Sequence, residues 1–130
     1  MKAFLTRSLF ISMGLFAGSV SAEQELDGSA VEKLALRGIW AAEENSYGYW
    51  KWNEDGSVCL RLHEPGGDCA DTGTWAIDGN FICYELEWWG EAYGQRDACL
   101  SVVAHEGTPY EVLFRGDVLV STMFHFTVLE

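Results

Sequence analysis

The chain is predicted to be all-β: an eight-stranded antiparallel up-and-down barrel carrying a short N-terminal helix. Three observations carry that expectation. Short runs rich in Trp, Tyr, Phe, Val and Ile fill the chain from Ile39 onward, Gly-containing turns separate them, and apolar residues alternate within them.

The elements follow in order. Residues 1–22 have the form of an export signal, with Lys2 and Arg7 in a basic opening, an apolar stretch from Leu9 to Phe16, and Val20-Ser21-Ala22 before the polar start at Glu23. Cleavage after Ala22 is expected. A membrane anchor would need about 20 continuous apolar residues, whereas Ser8, Ser12, Gly14, Gly18 and Ser19 interrupt a shorter run. Residues 23–130 then form one domain, of a size at which cross-links help a small core. Glu23 to Gly38 is the helical piece, a lid or plug, with Ser29 and Glu32 spaced as a capping box, Val31, Leu34 and Leu36 apolar, and Gly38 as the stop.

Eight strands are expected: Arg37 to Glu43, Tyr47 to Asn53, Ser57 to His63, Gly73 to Asp78, Phe81 to Trp88, Ala98 to His105, Pro109 to Arg115, and Val118 to Leu129. Glu54-Asp55-Gly56, Asp78-Gly79-Asn80 and Glu106-Gly107-Thr108 are short enough for hairpins between sequential neighbours. A meander of this size can remove its edges by closing into a barrel; a sandwich is the alternative. Alternation points Val58, Leu60, Leu62, Ile82, Tyr84, Leu86 and Trp88 inward, with Trp50, Trp52, Trp75, Ile77, Leu100, Val102, Val112, Phe114, Phe124 and Phe126 continuing that face. Such a set fills the interior of a small barrel rather than lining a roomy cavity.

Cys59, Cys69, Cys83 and Cys99 are an even number in a chain bound for export, which favours two disulfides over a metal site or a reactive thiol. Cys83 and Cys99 lie on consecutive strands and can face each other, leaving Cys59 for Cys69. Four cysteines permit three pairings, and sequence does not choose among them. Beyond Ala22 stand six Lys and Arg and 20 acids, a net charge of −14. That sets nucleic acid aside as a partner, because such proteins need a basic footprint. The acids keep the domain soluble and suit a basic protein or another cationic ligand.

In a meander the tight turns share one end and the longer loops the other. The long-loop end gathers Glu43 to Ser46, Glu64 to Thr72 and Trp89 to Asp97, and loops on a rigid scaffold are where function concentrates. Trp88, Trp89, Glu91, Tyr93, Asp97, Glu64 and Asp68 are the candidate partner-binding residues. With Trp88 inward, Trp89 points outward, free to contact a protein, a sugar face or a cation, or to stack on Tyr93 across the turn. No catalytic constellation emerges. His63, His105 and His125 are scattered over three strands, and Glu85 and Glu87 share a face as ordinary solvated acids. Glu64, Asp68 and Asp71 offer calcium a loose set without EF-hand spacing. The expectation is therefore no enzyme, no cofactor and no resident metal.

Val31 to Gly38, Asp55-Gly56, Gly73-Thr74-Trp75, Cys83 and Cys99 together resemble a family of small exported bacterial proteins of unknown function, over most of the chain after Ala22. Cys59 and Cys69 are additional to that pattern. The resemblance implies export and a lipocalin-like β-barrel, with no reaction to carry over. Gly38-Ile39-Trp40 likewise looks like the G-x-W opening of lipocalin and avidin-type barrels. The expected protein is a periplasmic or secreted monomer, a binding module for a cationic partner; the alternative is a lipocalin-like carrier of a small apolar ligand.

Overall fold

The computed structural model describes residues 23–107, 109–115 and 120–130. The expected export signal at residues 1–22, Thr108 of the third expected hairpin turn and Val118 at the expected start of the last strand lie outside the described residues. The elements are β1 (Glu23–Glu25), α1 (Gly28–Arg37), β2 (Ile39–Ala42), β3 (Tyr49–Trp52), β4 (Ser57–Arg61), β5 (Asp71–Asp78), β6 (Phe81–Leu86), β7 (Asp97–His105), β8 (Tyr110–Arg115) and β9 (Val120–Leu129). From β2 to β9 each strand pairs antiparallel with the next, and β9 returns to β2 through Ile39↔Leu129 to Ala42↔Phe126. This is the closed up-and-down barrel that the alternation predicts, and closure removes the edges that an open sheet exposes. The sandwich does not occur.

Glu23 to Glu25 is a strand rather than part of the helix. It extends the sheet along β7 beyond β6, with Glu23↔His105 and Glu25↔Val103 as partners. The helix starts later and its cap is Asp27, whose Oδ1 accepts from Ala30 N at 2.9 Å, so the Ser29–Glu32 capping box is not used. The reason is tertiary. Gly28 N donates to Asn80 Oδ1 at 3.0 Å, and a Cβ on Gly28 would lie 2.1 Å from the Gly79 carbonyl oxygen. The helix start is thus pressed against the β5–β6 turn, and only a residue without a side chain fits there.

From that anchor α1 plugs the hairpin-turn end, burying Val31, Leu34 and Ala35. Its Leu34 carbonyl accepts from Trp40 Nε1 at 3.1 Å, which gives the buried indole its partner. Gly38 lets the chain pass β9, since a Cβ there would stand 2.3 Å from Leu129 O. Local sterics and a helix-facing indole therefore account for Gly38-Ile39-Trp40.

The interior is aromatic. Trp40, Trp50, Trp52, Phe124 and Phe126 are fully buried together with Leu60, Ile82, Leu86, Leu100, Val58, Val102 and Val112, and Leu62, Trp75, Ile77 and Phe114 pack against them half-buried. Trp40 stacks on Phe126 with centroids 4.1 Å apart, and Trp50 meets Trp52 at 5.4 Å and Phe124 at 5.8 Å. Several positions depart from strict alternation: Cys59, Ser101 and Val103 are buried on the outward parity, and Trp88 and Met123 break the pattern at strand ends or bulges. Trp88, expected inward, is 52 % exposed, because β6 ends at Leu86 and the pleat no longer dictates its direction. Met123 is buried next to Phe124 because a bulge between Val112 and Leu113 pairs the first with Phe124 and the second with Thr122.

Both disulfides form as the strand geometry favours. Cys83 and Cys99 are directly opposed on β6 and β7, and Cys59 of β4 joins Cys69 in the loop that leads to β5.

Candidate functional site: the long-loop end of the barrel

Among the described residues, three connections meet at the end opposite the helix: 43–48, 62–70 and 87–96. Each is held by a specific device. In the first, a turn of 3-10 helix at Asn45–Tyr47 ends at Gly48, and Trp50 Nε1 donates to Tyr47 O at 2.8 Å. In the second, the Cys59–Cys69 bridge is joined by Arg61, whose Nε and Nη1 donate to Gly67 O and Pro65 O at 2.9 and 2.8 Å. That guanidinium is spent inside its own loop.

The third connection is organised by an acid that the sequence places in a solvated loop. Asp71 is the first residue of β5 and only 4 % exposed. Its Oδ2 accepts from Trp88 N and Trp89 N at 2.9 and 2.8 Å, while Oδ1 accepts from Thr72 N at 2.8 Å and more weakly from Glu87 N at 3.4 Å. A buried carboxylate is tolerated when backbone N–H groups replace its hydration, and each such bond is stronger than a neutral one. Asp71 is therefore a structural clasp rather than a calcium ligand.

The clasp turns the chain so that the two tryptophans exchange the directions expected of them. Trp89 lies half-buried across the barrel mouth, its ring 5.6 Å from Tyr47 and 5.5 Å from Trp50, both edge-on. It caps the core rather than contacting Tyr93. Trp88 instead faces solvent, as does Tyr93 at 82 % exposure. Between them, the tight segment Gly90 to Gly94 is fixed by Gly90 O, which accepts from Tyr93 N and Gln95 N at 3.1 and 2.8 Å. Gly90 has φ 83° and a Cβ there would reach the Gln95 backbone at 2.9 Å, so this turn requires glycine twice over.

Glu87 and Glu91 are exposed on the same loop as Trp88 and Tyr93. Arg96, the nearest base in sequence, is engaged by Leu86 O at 2.8 Å and by Glu85 at 3.6 Å. Asp97 is exposed at the start of β7, opposite Glu85. Glu64 and Asp68 are exposed in the second loop, and among the described residues no hydrogen bond or ion pair ties them to the Trp88–Tyr93 loop. Below the rim, the Tyr84 hydroxyl donates to Gln95 O. Burial pushes the Tyr84 phenol well above its ordinary range, with Asp97 and Tyr47 adding to the effect, so it remains a donor.

The histidines are less scattered in space than in sequence. His125 Nδ1 lies 2.8 Å from Glu44 Oε2, and His105 Nε2 lies 2.9 Å from Glu111 Oε1, on the outer wall of β7, β8 and β9. His63 remains exposed and apart. Strand spacing alone cannot reveal these pairs; the signal is register, which sets Glu111 opposite Val103, two residues from His105, and Ala42 opposite Phe126, so that Glu43 N reaches His125 O at 2.7 Å and Glu44 reaches the imidazole.

No protein-family model, curated protein or solved structure matches this chain.

Proposed function

We propose that the protein is an exported, non-enzymatic binding module of the periplasm or the extracellular space, whose long-loop end docks a basic protein or peptide. Membership of the exported barrel family with its lipocalin-like architecture belongs to the same reading, which the two disulfides support because such bonds persist in oxidising compartments. The observation that carries the docking proposal is the Trp88–Tyr93 loop: two exposed aromatic rings beside the exposed Glu87 and Glu91, on a segment clasped by buried Asp71. A pre-ordered aromatic and acidic surface suits a lysine- or arginine-rich partner, because rings attract cations and little entropy is lost on docking. The bases nearest this end, Arg61 and Arg96, are tied down by backbone carbonyls, and the exposed Glu64, Asp68, Glu87, Glu91 and Asp97 outnumber them.

The carrier alternative finds less support. Trp52 Nε1 is buried without an acceptor among the described residues, which an apolar ligand would not satisfy. Trp40, Trp50, Trp75 and Tyr84 crowd that indole with centroids 5.1 to 6.5 Å away, and the open grooves lie outside, on the β5–β7 wall and at the rim near Tyr49 and His63.

Titration with a heptalysine peptide, followed by amide and indole NMR shifts, tests the docking proposal. Shifts should centre on Trp88, Glu91 and Tyr93, weaken at least tenfold between about 20 and 200 mM salt, and vanish in a Trp88→Ala, Glu91→Gln, Tyr93→Ala variant. Absence of binding at low salt, or equal binding by the variant, would overturn it.

A further inference from the structure

We infer that Glu23, His105 and Glu111 form a zinc site on the outer wall of the barrel, where β1, β7 and β8 run side by side. Each residue offers one ligand atom, and these three atoms lie within 4.8 Å of one another. The grouping is a product of register. Glu23 is the Cα partner of His105 across β1 and β7, and Glu111 pairs with Val103 across β7 and β8, so the residues arrive from three separate strands.

The chemistry of the set favours zinc. One imidazole and two carboxylates are ligands that zinc accepts in tetrahedral geometry, with water in the fourth position. Calcium and magnesium prefer all-oxygen surroundings with more donors. Ligands about 2.0–2.2 Å from a tetrahedral zinc stand about 3.4 Å apart. His105 Nε2 and Glu111 Oε1 are 2.9 Å apart already, so small side-chain rotations suffice for that pair, and exposed Glu23 closes from the solvent side.

Glu111 is held for the task. Thr122 Oγ1 donates to its Oε2, which fixes the carboxylate plane and leaves Oε1 facing His105. Among the described residues neither Glu23 nor Glu111 is paired with a lysine or arginine; the neighbouring Arg115 is directed to Glu25 and Ser101. Two carboxylates, neither paired with a lysine or arginine among the described residues, balance a divalent charge, and the imidazole supplies the nitrogen donor. A His105–Glu111 hydrogen bond without a metal would give Glu23 no part.

The discriminating experiment is isothermal titration of the oxidised protein with zinc chloride, beside calcium chloride, and native mass spectrometry before and after EDTA. One zinc per chain is expected, removed by EDTA, with a shift of the His105 imidazole resonances on loading. Affinity should fall at least tenfold in His105→Gln and in Glu23→Gln, while Glu44→Gln, on the adjacent His125 pair, should bind as the parent does. Glu23 is exposed, so its variant tests ligation without threatening the fold. Failure to retain zinc at micromolar concentration, equal affinity for calcium, or an unchanged affinity in Glu23→Gln would each overturn the site.

Discussion

The Asp71 carboxylate does for the Glu87–Trp89 segment what a capping side chain does for a helix start: it collects N–H groups that have no other acceptor. Asp71→Ala leaves Trp88 N and Trp89 N searching for water beside a buried wall, so it should cost about 2–3 kcal/mol in urea unfolding. Amide exchange at Trp88 and Trp89 should quicken more than at Tyr84, and Asp71→Asn, which keeps one acceptor oxygen, should do less harm. A second residue-scale prediction concerns His125. The Glu44 hydrogen bond raises its pKa above 6.5 against the effect of burial, with the charges of Glu44, Glu111 and Glu43 helping; Glu44 itself, although burial opposes ionisation, is held below 4.5 by His125. The histidine's contribution is full below its unfolded pKa and disappears as pH rises through the raised one. The glutamate's contribution is full above its unfolded pKa and disappears as pH falls through the lowered one. The pair therefore helps most near pH 5–6. Because both side chains are well over a third exposed, the gain is under about 1 kcal/mol. With EDTA present, the melting-temperature deficit of His125→Gln should peak near pH 5.5 and shrink toward both pH 3 and pH 8; a deficit independent of pH would contradict the pairing.

Elements depend on closeness that a list of residue types does not display. Gly73 sits in β5 between Val58 of β4 and Leu86 of β6, and a Cβ there would come within 1.8 Å of the Glu85 carbonyl oxygen. Gly73→Ala must spread β5 from β6, a cost of about 1–3 kcal/mol read from chemical denaturation, whereas Gly79→Ala meets no atom and is strained only by its φ of 63°. The strands themselves were legible because alternation is a local signal: Trp50 and Trp52, or Ile82 and Tyr84, announce a buried face within a few residues. What was not legible depends on distant partners. Asp27 replaces Ser29 as the helix cap because the helix start must meet Gly79 and Asn80, and Trp88 and Trp89 exchange places because Asp71 draws in their backbone. Met123 entered the core through a bulge that only the β8–β9 pairing defines. Of the candidate binding residues, Glu91 and Tyr93 stand exposed in the long loop where the sequence places them, in a turn bounded by Gly90 and Gly94.

Across the whole molecule the cross-links are unevenly spread, and that unevenness locates the weakest part of the closed sheet. Cys59–Cys69 and Cys83–Cys99 both lie within the run from β4 to β7, so covalent constraint on the unfolded chain is confined to that stretch. The seam between β9 and β2 carries no disulfide: it is held by its backbone ladder, Ile39↔Leu129 to Ala42↔Phe126, by the stacking of Phe126 on Trp40 and Phe124 on Trp50, and by the surface pairs His125–Glu44 and Arg37–Glu130. A chain ending before Val120 would lose Met123, Phe124 and Phe126 from the core and expose β2 and β8 as unpaired edges, although both disulfides could still form. Each lost Phe is worth about 3–5 kcal/mol, and two of them approach the whole margin of a domain this size. The truncated protein should therefore oxidise fully, as thiol titration would show, yet have no cooperative thermal transition and a collapsed spread of amide NMR shifts. A dispersed spectrum from that chain would mean that the β4–β7 half folds without closure, and that the disulfides rather than the aromatic core set the architecture.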